Sequence, residues 1–123
     1  MISSRKIEDL IPELQVIYHD FEKAMKEAGE DFIVTCTFRD QEMQDRLYSQ
    51  GRTTPGAVVT WAKHSKHTDR EAFDIAILKN GKITWVTKDY QKAVEIGLSV
   101  GLDSGGAWKT KKDYPHMQYK EVV

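Results

Sequence analysis

Apolar and polar positions along this chain alternate with two periods. From Ile7 to Ala28 the apolar residues Ile7, Leu10, Ile11, Leu14, Ile17, Tyr18, Phe21, Ala24, Met25 and Ala28 recur at three- and four-residue spacing. That is the stripe of an amphipathic helix with one face on a core. Gly29 closes it, and Pro12 marks a start or a kink in its first turns. Phe32 to Phe38 is short, apolar and β-branched, which predicts a strand. Asp40 to Gln50 returns to helical spacing, with Met43, Leu47 and Tyr48 expected on the core side and Gly51 as the stop. Ala72 to Leu78 and Ile83 to Val86 flank Asn80-Gly81, the signature of a tight hairpin turn. Asp89 to Val100 predicts a further helix with Ala93, Ile96 and Val100 on its apolar face. Gly97 shares that face and permits close packing. A last strand is expected over His116 to Tyr119. Helices and antiparallel strands mix without a βαβ repeat, so the expected class is α+β, with a central antiparallel sheet flanked by helices. The segment from Arg52 to His67, RTTPGAVVTWAKHSKH, carries no period. Connections that long in a small domain are usually functional or mobile.

Composition narrows the picture. The 123 residues suit one domain spanning 1–123 and leave little room for a second module. Eighteen basic residues nearly cancel nineteen acidic ones, and the net charge of -1 argues against a nucleic-acid partner. No apolar run is long enough to insert into a membrane. The N-terminal MISSRKIEDLIPEL lacks the apolar core of a secretory signal, so synthesis in the cytoplasm is expected. Cys36 is the only cysteine, which excludes internal disulfides and multi-thiolate metal sites. Within FIVTCTF it reads as a small buried core residue.

Candidate chemistry centres on Asp74. Strand alternation puts Ala72, Asp74 and Ala76 on one face and Phe73, Ile75 and Ile77 on the other. A carboxylate in such a strand is costly unless it is paired, hydrogen-bonded or bound to a metal. His67 lies in the loop before this strand, and His116 starts the last one. Two histidines and a carboxylate suit a hydrolytic zinc site with an open fourth position. Such a site needs a carboxylate base, for which Asp113 stands three residues before His116. Arg39, just after the first strand, suits a developing oxyanion or a substrate carboxylate. A structural reading stays open beside this one. Asp74 would then pair with Arg39 or Arg70, and the histidines would be ordinary polar residues.

Four ordered segments resemble a known family. Ser65-Lys66-His67-Thr68-Asp69-Arg70-Glu71-Ala72-Phe73-Asp74 resembles the S-x-H-x-x-G-x-A-x-D signature of the D-alanyl-D-alanine carboxypeptidase and L-alanyl-D-glutamate endopeptidase family of zinc peptidases. Asp113-Tyr114-Pro115-His116 is similar to its second element, an acidic base before the last histidine ligand. Thr37-Phe38-Arg39-Asp40, followed by Gln44, Leu47, Tyr48 and Gly51-Arg52-Thr53, resembles its phage endolysin members. Gly105-Gly106-Ala107-Trp108 is similar to their W-G-G-D-W element.

The resemblance implies the hedgehog-like fold of D-Ala-D-Ala metallopeptidases and one Zn2+ held by His67, Asp74 and His116. Asp113 would be the base, Arg39 the substrate or oxyanion residue, and Ser65 and Trp108 pocket walls that meet substrate. The implied activity is endolysin-like L-alanyl-D-glutamate endopeptidase action on peptidoglycan stem peptides by a monomer. Access to the wall would follow a holin-type route. A D,D-carboxypeptidase removing terminal D-alanine, and a non-catalytic member that binds zinc or wall peptide, are the alternatives. Two departures stand out. Arg70 replaces the signature glycine, which is expected to alter the loop or the cleft entrance, and the acid before Trp108 is missing. His64, three residues before His67, falls outside the signature and is expected to be a loop residue or a minor supporting group.

Overall fold

The computed structural model describes residues 1–121. Five strands form one sheet: β1 (Asp31–Cys36), β2 (Ala72–Lys79), β3 (Lys82–Thr84), β4 (Leu102–Ser104) and β5 (His116–Tyr119). The order is β1-β2-β5-β4, with β3 also on β2, and every pairing is antiparallel. Three helices accompany it: α1 (Pro12–Glu27), α2 (Gln41–Ser49) and α3 (Gln91–Ser99). The α+β class and the central antiparallel sheet are as the sequence pattern predicts.

The first helix is shorter than its apolar stripe. Ile7–Asp9 forms a separate 3-10 turn, and α1 begins at Pro12, where the missing N–H costs nothing because first-turn amides have no helical partner. Leu14, Tyr18, Phe21 and Met25 are its buried residues. They meet the sheet through an aromatic cluster in which Tyr18 and Phe21 stand edge-on to Phe73, at centroid distances of 5.2 and 5.6 Å. Phe32 of β1 joins from the side, 5.5 Å from Phe21. Edge-to-face pairs of this kind add roughly 0.5–1.5 kcal/mol each beyond area burial. Phe73, Ile75 and Ile77 are fully buried, as their shared strand face predicts. The opposite face is less open than its alanines suggest: Ala72 and Ala76 are buried too, and Asp74 between them keeps 23% of its side chain exposed.

Helix α3 closes the same core through Ala93 and Ile96. A Cβ at Gly97 would lie 2.8 Å from the Met117 sulfur, so this glycine allows the close approach of α3 to β5. Helix α2 departs from expectation. Its N-terminus is capped by Asp40, whose carboxylate accepts from the Met43 amide at 2.9 Å. Its buried residue is Gln44, while Met43, Leu47 and Tyr48 are only half-buried. The short strand β4 has no counterpart in the sequence reading, because three residues are too few to show alternation. The N-terminal residues add a further pairing: Ser4 and Ile2 exchange backbone hydrogen bonds with Thr37, Phe38 and Asp40.

Tyr90 ties the hairpin end together. Its hydroxyl accepts from the Ile77 amide at 3.1 Å and donates to the Thr84 carbonyl at 2.8 Å. Tyr90→Phe strands a buried amide and is expected to cost about 1–3 kcal/mol. Urea unfolding measures this, and an unchanged midpoint would show that the two bonds carry no net stability.

Candidate metal centre

The sheet register assembles the site. Asp74 in the middle of β2 has Cys36 of β1 on one side and His116 of β5 on the other as its direct partners. The register slips between Val34 and Cys36 at a bulge, a device that re-aims side chains at strand ends. His116 then presents Nδ1 to Asp74 Oδ1 at 3.0 Å. His67 reaches the other oxygen from a turn rather than a strand, with Nε2 3.1 Å from Asp74 Oδ2. The Ser65 hydroxyl accepts from the His67 amide at 3.1 Å, and the His67 carbonyl accepts from the amides of Arg70 and Arg39. The His67 ring is fixed from behind by Nδ1 at 2.9 Å from the Thr37 carbonyl. Nδ1 therefore donates, and Nε2 faces the site.

Three ligand atoms, one from each of His67, Asp74 and His116, lie within 4.8 Å of one another. The two imidazoles meet edge-on at 5.2 Å. His67 Nε2 is buried and, although close to Asp74, makes no well-aligned hydrogen bond. A buried nitrogen with no aligned partner, converging with a carboxylate and a second imidazole, fits a divalent metal of zinc type. The alternative pairing of Asp74 with Arg39 or Arg70 is absent among the described ion pairs.

Charges respond to this packing. Burial alone would lower the His67 pKa, but the Asp74 carboxylate in front of the ring and the Cys36 sulfur beside it lift it to about 10. Burial would likewise raise Asp74, yet the two histidines hold it well below the usual carboxylate range. For Asp113 burial acts first and the nearby Asp74 charge second, both pushing its carboxyl upward. Asp113 is seated by its neighbours, its amide donating to the Gly105 carbonyl and its carbonyl accepting from the His116 amide. Any Cβ at Gly105 would run into the Asp113 carbonyl, so glycine is required there.

A cleft of about 720 Å³ opens over the triad. Arg39, Ser65, Trp108 and Asp113 all line it, together with Trp61 and Lys111. The Trp108 ring stands 5.5 Å from His116. Arg39 is already braced, donating from Nη1 to Gln44 Oε1 at 2.9 Å and from Nη2 to Cys36 Sγ at 3.6 Å. Ser65 lines the cleft, but its hydroxyl is engaged by the His67 turn. His64 stands apart from the triad, with ring nitrogens on Gln41 Oε1 (3.1 Å) and Asp69 Oδ1 (2.8 Å). Arg70 is the main correction. Its φ of 63° lies in the left-handed region that favours glycine, so the arginine takes the backbone shape a glycine would adopt there. Its guanidinium stacks 3.9 Å from the Phe38 ring and donates to the Asp9 carbonyl at 3.0 Å. It is not among the cleft residues.

Sequence reasoning missed the supporting residues. Gln44 is fully buried and holds Arg39 on one side and the Ala62 carbonyl on the other. Cys36 is buried as expected but sits against Arg39 and His67 at the site's edge. Gln118 accepts from His116 Nε2 at 2.9 Å. Its place two residues after His116, on the same strand face, was the available signal.

The sequence profile of the family described as D-alanyl-D-alanine carboxypeptidase, within peptidase M15, matches residues 59–119. The chain belongs to this family and is a hydrolase. It is 36% identical over 122 residues to the peptidoglycan L-alanyl-D-glutamate endopeptidase CwlK of Bacillus subtilis, covering 89% of this chain and 73% of CwlK. Its fold matches the crystal structure of the Serratia marcescens L-Ala D-Glu endopeptidase ChiX with a TM-score of 0.77 at 20% identity, covering 97% of this chain and 89% of ChiX.

In the metal-free chain the His67–Asp74 pair makes stability depend on pH. The raised His67 value stabilises fully below about pH 6.5, its ordinary pKa, and that contribution is lost as pH rises through about 10. The lowered Asp74 value stabilises above its ordinary 3.8, and that contribution is lost at lower pH. The stability advantage of wild type over Asp74→Asn, read from urea midpoints in chelator, is therefore expected to be largest between these two ordinary values. It should shrink toward pH 10; an advantage that grows from pH 6.5 to 10 would contradict this.

Proposed function

We propose that this chain is a zinc-dependent L-alanyl-D-glutamate endopeptidase acting on peptidoglycan stem peptides. The observation that carries the reading is the converging triad of His67, Asp74 and His116 with its buried, unpartnered His67 Nε2. The likeness to CwlK supports the choice of bond and of substrate. His67 through Nε2, Asp74 through a carboxylate oxygen and His116 through Nδ1 would hold the zinc. Bound there, zinc would supply Lewis acidity and lower the pKa of water toward about 7.

The chain's own groups do the rest. The raised carboxyl of Asp113, facing the same cleft, takes the proton of the attacking water at its carboxylate and returns it to the leaving amine. Arg39, held by Gln44, turns positive charge toward the cleft where the carbonyl oxygen becomes negative. Trp108 packs beside His116 and excludes water from that side. The whole catalytic unit is carried by residues 1–123, and a role in phage or prophage lysis belongs to the same reading.

Carefully purified protein should hold about one zinc per chain, because one three-ligand site is present. His67→Ala and His116→Ala should lose it. Digestion of purified peptidoglycan should expose new amino groups on glutamate, stop with chelator, and release no terminal D-alanine. Asp113→Asn should keep its zinc but slow cleavage by roughly 100-fold or more. Mass spectrometry of the muropeptides decides the bond. Loss of terminal D-alanine instead would make the chain a carboxypeptidase, and zinc binding without turnover would make it a binding protein.

A further inference from the structure

The sheet register that pairs Asp74 with His116 also pairs Asp103 of β4 with Gln118 of β5. His116 and Gln118 lie two residues apart on one strand and so share a face. Both are half-buried or more, and both line the cleft. The result is a row across the sheet. His116 Nε2 is 2.9 Å from Gln118 Oε1, and Gln118 Nε2 is 3.4 Å from Asp103 Oδ2. Asp103 takes part in no described ion pair, so its carboxylate is free to accept from the amide.

We infer that Gln118, oriented by Asp103, is the positioning residue that fixes which nitrogen of His116 faces the metal. This rests on the reading of His116 as a ligand. A side-chain amide has two ends of similar shape and opposite character. If its NH2 faced the imidazole, Nε2 would have to carry the lone pair, the proton would move to Nδ1, and the nitrogen facing Asp74 would be blocked as a ligand. A carboxylate only accepts, so Asp103 draws the NH2 end toward itself and leaves Oε1 for His116. The proton then stays on Nε2, and the Nδ1 lone pair points into the site. His67 is held the opposite way, with Nδ1 on the Thr37 carbonyl and Nε2 toward Asp74. The two imidazoles therefore use different nitrogens, each set by the acceptor behind it. A neutral amide gives this orientation without adding a second negative charge beside Asp74.

The test compares wild type, Gln118→Leu, and Gln118→Glu made together with Asp103→Asn, whose NH2 can meet the new carboxylate. Leucine keeps volume and removes the acceptor; glutamate restores an acceptor. Zinc affinity is measured by competition with a chromophoric chelator at fixed pH. The His116 tautomer is read from imidazole 15N shifts of the zinc-loaded proteins, and urea midpoints confirm folding. Gln118→Leu is expected to bind zinc about 10–100-fold more weakly. The Gln118→Glu/Asp103→Asn pair should bind within a few-fold of wild type and keep the wild-type 15N pattern. Wild-type affinity and an unchanged 15N pattern in folded Gln118→Leu would overturn the inference. Equal weakening in both variants would overturn it too, because it would point to packing rather than acceptance. If wild type itself binds no zinc, the metal reading fails as a whole, which separates that failure from this one.

Discussion

The carboxylate of Asp74 is the point on which the other arrangements converge. A charged group in the middle strand of a sheet costs several kcal/mol in lost hydration unless its oxygens are matched. Here each oxygen faces one imidazole, from His67 on one side and His116 on the other. Removing the carboxylate would leave His67 buried with nothing in front of its Nε2. Charge, register and ring orientation are thus one problem with one solution, and that solution leaves three donor atoms pointing at a common centre.

Rigid parts of the molecule support that centre. The aromatic cluster of Tyr18, Phe21, Phe32 and Phe73 anchors the middle of the sheet from behind. Asp113 and Trp108 hang from the Gly105 carbonyl, which accepts both of their amides. The part of the long connection around Trp61 supplies one wall of the cleft. There Arg52 stacks on Tyr48 at 3.9 Å and Lys111 approaches Trp61 at 4.8 Å. The residues that would perform chemistry sit on strands and tight turns, His67 at the very end of the long segment, while the stretch around Trp61 shapes what can enter.

Much of this was legible beforehand, and the rest failed for definite reasons. The long helix, the hairpin and the last strand follow from period, and Asp74 stood out because its surroundings made it expensive. The histidines were different. Nothing local to His67 says that the Thr37 carbonyl, thirty residues earlier, will hold its ring. That contact exists only once the sheet is paired, so only ordered resemblance could bring it forward. Gln44 defeated the periodic reading because a polar residue took the buried position that Met43 and Leu47 were expected to fill. Its partners, the Arg39 guanidinium and the Ala62 carbonyl, are remote in sequence. Strand β4 was too short to show a pattern at all.

Arg70 bears on how such motifs are to be read. Left-handed backbone at a non-glycine residue costs about 1–2 kcal/mol, and here the guanidinium recovers stability by covering Phe38 and reaching Asp9. The turn after His67 takes a left-handed φ at this arginine, the conformation glycine adopts most readily. What the turn demands at that point is a dihedral angle rather than a particular side chain. A change of letter there re-routes support toward the N-terminal segment and leaves the reacting surface untouched. Two chains can therefore diverge in their signature while agreeing in the geometry that the signature stands for.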